Sequence, residues 1–150
     1  MHGVVPVANL LGIAVKAQRK GPMSLHQEAM LHPLHGLVGD ARGKPGRRQL
    51  TLMNLQDWQT ACAELGVVLP WQTRRANLLV DQLPLYQSTG QRILLGEALL
   101  EITGETDPCE RMEQAQAGLF QALKPAWRGG VTCRVLKAGV IRVGMSVQID

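Results

Sequence analysis

A chain of 150 residues with 45% hydrophobic content is long enough for one ordinary domain, residues 1–150, with a substantial buried core. It holds no run of roughly eighteen apolar residues and no charged n-region leading into an apolar stretch, so neither a membrane span nor a leader is expected. Its three cysteines, at positions 62, 109 and 133, match neither zinc nor CxxC spacing and suit a reducing compartment, with the cytoplasm as the expectation.

The net charge of +4 is local: the first fifty residues hold seven Lys or Arg against two acids, the remaining hundred nine against ten. Much of the excess is Arg42, Lys44, Arg47 and Arg48 in RGKPGRR, whose Gly and Pro mark a loop. Such a loop is either a solvated surface or an anion-binding lip. Aromatics are only 3% of the chain, which leaves few stacking platforms for single-stranded nucleic acid, and a small phosphorylated ligand fits better.

In chain order, Leu11, Ile13, Val15 and Ala17 alternate with Gly12, Ala14, Lys16 and Gln18, the period of a half-buried strand that Gly21-Pro22 ends. A second extended stretch follows through Leu25 to Leu31. His26, His32 and His35 raise the question of a metal, but their spacing fits no defined zinc pattern, and they read as ordinary strand or loop histidines. HGLVGD, His35 to Asp40, places Gly36 and Gly39 around an apolar pair and ends in a carboxylate: a tight turn or a wall of a site.

Gln49 to Met53 reads as a short strand, followed by a helix capped by Asn54, with Leu55, Trp58, Cys62 and Leu65 on one face and Gly66 as its stop. Cys62 is thereby core. Arg74 and Arg75 then enter a strand, Arg74 to Val80. Arginines are always charged and carry donors suited to phosphate or carboxylate, and Asn77 adds an amide. Ile93 to Leu95 and Ala98 to Ile102 form further strands, separated at Gly96 by a bend or bulge.

The second of these strands, with Ala98, Leu100 and Ile102 inward, stops at Thr103-Gly104, and a helical period begins at Pro108 and runs to Leu123. Asp107 is a good N-cap and Pro108 a favoured first residue, so Cys109 falls in a first turn, where free N–H groups favour an anion and should lower the thiol pKa. A thiolate there suits a nucleophile, a persulfide carrier or a ligand for a soft metal; the alternative is a cysteine packed as a small hydrophobe. Glu105, Asp107 and Glu110 oppose ionisation, so cations must come from elsewhere in the chain.

Trp127 to Gly130 is a loop in which Arg128 precedes Gly129 and Gly130, either a plain turn or an anion-binding nest. Val131, Cys133 and Val135 point inward on the next strand, making Cys133 structural. Gly139 marks a hairpin, and Ile141, Val143, Met145, Val147 and Ile149 complete the alternation. Short strands with turns between them and two or three short helices predict a mainly β, α+β protein: a β-barrel of mostly antiparallel strands with helical insertions.

The ordered segments GLVGD, RRQLTL, RRANLLV, LGEALLEITGETDPC, RGGV and GVIRVG together resemble the MOSC family, named for the C-terminal domain of molybdenum cofactor sulfurases, and its small stand-alone bacterial members above all. The resemblance runs from about Gly3 to Ile149. It implies a barrel of the pyruvate-kinase β-barrel-like type, with the molybdenum cofactor (molybdopterin) as its ligand and Cys109 as the metal-binding thiolate or the carrier of a persulfide. It further implies that Arg74, Arg75, Asn77, Arg48 and Arg128 line the site, that Gly36, Gly39 and Asp40 form the GLxGD turn, and that Gly129 and Gly130 match the paired glycines. The chain departs from the family pattern at Gln82, where members often have glycine, and at Met145, where a Gly-Asp pair usually closes the last hairpin.

The implied activity is reduction of N-hydroxylated bases or amidoximes, or transfer of cofactor or sulfur. The chain has no room for a flavin or iron–sulfur domain, so the expected partners are a separate electron-donor protein or a molybdoenzyme recipient, besides a small-molecule substrate. A reading of another class is a non-catalytic barrel that binds RNA or another polyanion through RGKPGRR. Binding to a phosphate backbone would weaken steeply with salt, whereas a thiolate-held cofactor would stay.

Overall fold

The computed structural model describes residues 8–106 and 109–150. Its strands are β1 (Ala8–Val15), β2 (Ser24–His26), β3 (Glu28–His32), β4 (Gly36–Leu37), β5 (Leu50–Asn54), β6 (Leu78–Val80), β7 (Arg92–Leu95), β8 (Ala98–Glu105), β9 (Val131–Lys137), β10 (Gly139–Arg142) and β11 (Ser146–Ile149). The helices are α1 (Leu55–Glu64), α2 (Glu110–Ala115) and α3 (Leu119–Ala122), with 3-10 turns at Trp71–Arg74 and Pro125–Trp127. Seven strands close into a barrel in the order β11-β7-β8-β9-β5-β6-β1, the ring sealed by β1 pairing with β11. Among the described strands only β5 and β6 pair in parallel, because α1 and the turn after it return the chain across the barrel wall. β2 extends from β1, and β3, β4 and β10 form a separate three-stranded sheet.

Period-two alternation explains why the barrel fills. Leu52, Leu78, Val80, Leu100, Ile102, Val131 and Cys133 point inward with Leu10 and Ile13, and all belong to one buried cluster. The opposite faces of β5 and β6 are buried as well: Met53 and Leu79 lie beneath the helices with Trp58, Cys62, Met112 and Leu119 in a second cluster. The mainly β expectation holds, and so do the core positions of Cys62 and Cys133.

Several local expectations are corrected. β1 begins earlier than the alternation from Leu11 suggests, and its register shifts between Leu10 and Gly12, so Leu11 joins the helical cluster while Leu10 and Ile13 face the barrel. Gly12 is required there, since a Cβ would lie 2.6 Å from the Trp71 ring. Asn54 stands at the N-cap of α1 but makes no capping bond; its amide instead donates to the Leu83 carbonyl at 2.7 Å and accepts from the Leu83 N–H at 3.0 Å. Gly96 sits in the two-residue turn of the β7–β8 hairpin rather than at a bulge, since Leu95 faces Ala98. β8 runs on to Glu105, past the expected stop at Thr103-Gly104. Beyond it the expected single helix is two: α2 ends at an extended Gln116, and α3 starts from Gly118 at φ 87°. Gly139 begins a strand in the small sheet, where a Cβ would lie 2.6 Å from the Ala98 nitrogen.

Candidate functional site

The GLVGD turn brings several of the residues singled out from the sequence together. The Asp40 carboxylate accepts the backbone N–H groups of Lys16 at 2.8 Å and Arg42 at 2.9 Å, and the Asn77 amide at 3.1 Å. The Ala41 N–H donates to the Lys16 carbonyl at 2.6 Å, so the start of the RGKPGRR loop is stapled to the end of β1. Gly36, with φ 60°, leaves no room for a side chain: a Cβ would meet Gln49 Cγ at 2.8 Å. Gly39 takes φ 96°, a conformation that the turn needs and that glycine adopts without strain.

Asn77 is buried and its amide is spent on the scaffold. Oδ1 accepts the Thr51 N–H at 3.1 Å, while Nδ2 donates to the Ala14 carbonyl and to Asp40, each at 3.1 Å. It ties β1, β5 and the Asp40 turn together and thereby sets where the two arginines before it project.

Those arginines do not enter a strand as the sequence suggests. Arg74 ends the 3-10 turn and Arg75 adopts the left-handed conformation at φ 65°, which sends the two side chains apart. Arg75 donates to the Gly21 carbonyl at 2.5 Å. Arg74 is 6% exposed and donates to the Thr106 carbonyl at 3.4 Å, while its Nε and the Thr106 hydroxyl are buried without a hydrogen-bond partner. Burial pushes the Arg74 guanidinium down to about 10, with the nearby Cys109 sulfur working to raise it. Arg74 therefore remains charged at neutral pH.

Cys109 is the one exposed thiol of the three. It stands at the N-cap of α2 rather than inside its first turn, and its carbonyl accepts the Met112 N–H at 2.9 Å. Asp107 and Pro108, read as cap and first helical residue, lie outside the described residues. Several cations stand close to one another in this part of the fold. Arg75 is lowered by burial, then by Arg111 and Arg42, with Asp40 and Cys109 opposing; Lys16 is lowered by burial and then by Arg42, with Asp40 opposing. Lys16, Arg42, Arg75 and Arg111 thus crowd one region in which Asp40 supplies the opposing charge. Arg48 lies further out, on a cleft of about 490 Å³ that the loop forms with Lys16 and Arg19.

Arg128 does not turn toward the cysteine. It pairs with Glu64 at 2.9 Å and donates to the Ala122 carbonyl at 3.0 Å, fastening α1 to α3. Nor do the glycines after it form an anion nest, because Gly129 and Gly130 give their N–H groups to the Leu123 and Trp127 carbonyls. Their role is clearance: a Cβ on Gly129 would sit 2.7 Å from the Thr106 carbonyl oxygen and 3.3 Å from Arg74 Nη2, and one on Gly130 would sit 2.3 Å from the Leu52 carbonyl oxygen. No group of three or more His, Cys, Asp or Glu suited to a metal ion occurs among the described residues, the three histidines included. Sequence reasoning passed over Lys16, Arg19, Arg111 and Thr106. The available signals were a basic end to β1 and an arginine two residues after the cysteine.

A family model described as the MOSC domain matches residues 26–148. The chain belongs to the MOSC domain family. The family is associated with binding of the molybdenum cofactor. No curated protein matches the chain. Among solved structures the chain is similar to the YuaD protein from Bacillus subtilis, at TM-score 0.80 and 20% identity over 96% of each chain. It is also similar to YiiM from Escherichia coli (TM-score 0.69, 19% identity, 95% of this chain and 69% of that one) and to YiiM from Geobacillus stearothermophilus (TM-score 0.74, 15% identity, 95% and 75%). At such identities the likeness is one of fold. Among the described residues no helix is long and apolar enough to cross a membrane.

The residues present fit the cofactor. A soft sulfur ligand is exposed, two guanidiniums lie beside it, and the buried Arg74 Nε and Thr106 hydroxyl have hydrogen-bonding capacity that the protein does not use.

Proposed function

We propose that this protein binds the molybdenum cofactor through Cys109 and reduces N-hydroxylated bases or amidoximes. The single observation that carries the reading is the exposed Cys109 beside Arg74, a charged side chain buried with an unpartnered Nε. When bound, the cofactor supplies two-electron oxygen-atom chemistry, by which an N–OH group, two electrons and two protons become N–H and water. The electrons come from a separate donor protein.

The chain's own part is to bind and orient. Cys109 offers the metal a soft thiolate, and Arg74 and Arg75 offer donors to anionic groups, chiefly the pterin phosphate. Asn77 and Asp40 do not touch the cofactor in this reading; they fix the backbone from which Arg75, Lys16 and Arg42 project. Gly129 keeps the Thr106 segment close against Arg74. Transfer of cofactor or of a Cys109 persulfide to a molybdoenzyme would use the same residues without a substrate.

Protein purified from a host that makes the cofactor tests this. Wild type should carry molybdenum and pterin and reduce a hydroxylamino base when an electron donor is supplied. Cys109→Ser, a hard ligand, should lose the metal and the activity while some pterin stays on the arginines, and Arg75→Ala should retain less pterin. Full activity and metal in Cys109→Ser would sink the thiolate mechanism. A loaded wild type without activity would favour the carrier.

A further inference from the structure

The charge gathered in this part of the fold exceeds what the site at Cys109 uses. Arg74 and Arg75, with Arg111 near, suffice for one phosphate and the anionic groups of a metal centre. Beyond them the cleft of about 490 Å³ is lined by Lys16, Arg19, Arg42, Lys44 and Arg48, five cations with Ala41, Pro45 and Gly46 and no carboxylate. It borders the inner region: a small recess that Asp40, Arg75 and Asn77 line shares Lys16 and Arg42 with it. Asp40, which lines the small recess and not this cleft, is a single carboxylate against the five cations. Arg42 also lies close enough to Lys16 to disfavour its charge. The fold holds these like charges together by backbone staples, so an anion entering the cleft relieves a repulsion that the protein alone sustains.

A phosphomonoester carries about −1.5 to −2 at neutral pH, so five cations match two or three phosphates better than one. No aromatic side chain lines the cleft, which removes the stacking that single-stranded nucleic acid uses. We propose that the outer cleft is a polyphosphate subsite, and that the molecule handled at Cys109 is nucleotide-sized, its phosphate chain lying along Lys16, Arg19, Arg42, Lys44 and Arg48. The subsite stands on the charge of the cleft; only the identity of the molecule's other end rests on the functional reading above. The phosphate chain belongs either to a nucleotide substrate or to a nucleotide carried by the pterin.

The test is calorimetric titration, at about 50 mM salt, of orthophosphate, pyrophosphate and tripolyphosphate into protein from a host unable to make the cofactor. Affinity should rise about tenfold or more from orthophosphate to tripolyphosphate. Arg19→Glu combined with Lys44→Glu, at two exposed positions, should weaken tripolyphosphate binding about tenfold or more with an unchanged thermal midpoint. Affinity independent of phosphate number, or unaffected by the double charge reversal, overturns the proposal. So does a single-stranded RNA of one nucleotide type that binds more than about tenfold tighter than tripolyphosphate and is lost in the same variant, since the cleft would then be a nucleic-acid track. Cofactor-loaded protein separates the sources: it still binds tripolyphosphate if the chain belongs to substrate and no longer does if it belongs to the pterin. Tripolyphosphate binding by a protein that never retains molybdenum would leave the subsite standing and sink the reading at Cys109.

Discussion

Asn77 Nδ2 and Asp40 Oδ1 meet at 3.1 Å, and through that bond the strand that follows the double arginine is joined to the turn that launches the basic loop. Asn77→Ala would strand the buried Thr51 N–H and leave the half-buried Asp40 with one donor fewer. A loss of about 2–4 kcal/mol is expected in denaturant unfolding. Asn77→Asp should be at least as harmful, because it sets a second carboxylate against Asp40. An unfolding midpoint equal to wild type in either variant would show that the knot does not hold the fold.

Thiol reactivity should separate the cysteines sharply. Cys109 is exposed, whereas Cys62 and Cys133 are buried, and burial raises the pKa of both buried thiols. Brief alkylation of folded protein at neutral pH, mapped by mass spectrometry, should modify Cys109 and leave the others until the protein unfolds. Equal labelling of Cys62 or Cys133 in the native state would contradict the packing described.

Cys133 also sets a pH dependence. Its native pKa is raised above the ordinary 9.0 by complete burial, so the native state keeps its proton after the unfolded chain has lost its own. The associated stability is complete below pH 9 and declines as pH rises above it, by about 1.4 kcal/mol per pH unit for one proton. Cys133→Ala lacks this loss. Its deficit relative to wild type, from the cavity it creates, should therefore shrink between pH 9 and 10.5, and a constant difference would refute the assignment.

Gln82, where the family often has glycine, sits at φ 56°. A non-glycine residue there costs about 1–2 kcal/mol, and the bond its backbone N–H gives to Gln56 Oε1 at 3.1 Å does not depend on its side chain. Gln82→Gly should raise the thermal midpoint, to be read by calorimetry; an unchanged or lower midpoint would mean that the strain is relieved elsewhere. At the other departure, the Met145 sulfur accepts the Arg142 N–H at 3.3 Å, so a thioether serves the turn where the family has an acid.

Gly129→Ala should act on the site and on stability together. The added methyl meets the Thr106 carbonyl oxygen at 2.7 Å, so the segment leading to Cys109 must move away from Arg74. A stability loss of about 1–3 kcal/mol is expected, accompanied by reduced cofactor content in loaded protein. Wild-type stability together with full cofactor content would remove Gly129 from the account of the site.

What was legible in the sequence divides along physical lines. Period-two alternation located Leu100, Ile102 and Cys133 on the barrel face because β8 and β9 keep their phase where those residues lie. It misplaced Leu11, since one irregularity in the ladder reverses every side chain after it, and hydrophobic content alone does not reveal a slip between two buried faces. Arg74 and Arg75 were recognisable as cations but not as the end of a 3-10 turn, because neither residue type signals a left-handed backbone. The single helix expected after Pro108 is interrupted between Gln116 and Gly118, an interruption that the apolar spacing of Leu119 and Leu123 concealed. Arg128 looked free because Glu64, its partner, lies sixty-four residues away. The basic loop was plain from composition, yet the arrival of Lys16 and Arg19 beside it depends on the Asp40 staple, which is tertiary.

Among the described residues the seam between β1 and β11 shows two registered pairs, Ala8 with Val147 and Asn9 with Ser146. The strands that complete the ring are the first and the last described in chain order, so neither has its partner until almost everything between them has been arranged. Such distant pairing places the entropic cost of closure late in folding and slows the approach to the native state. The same join is where the cylinder should gap first in transient openings, so amides of β1 near Ala8 should exchange with solvent ahead of those between β8 and β9.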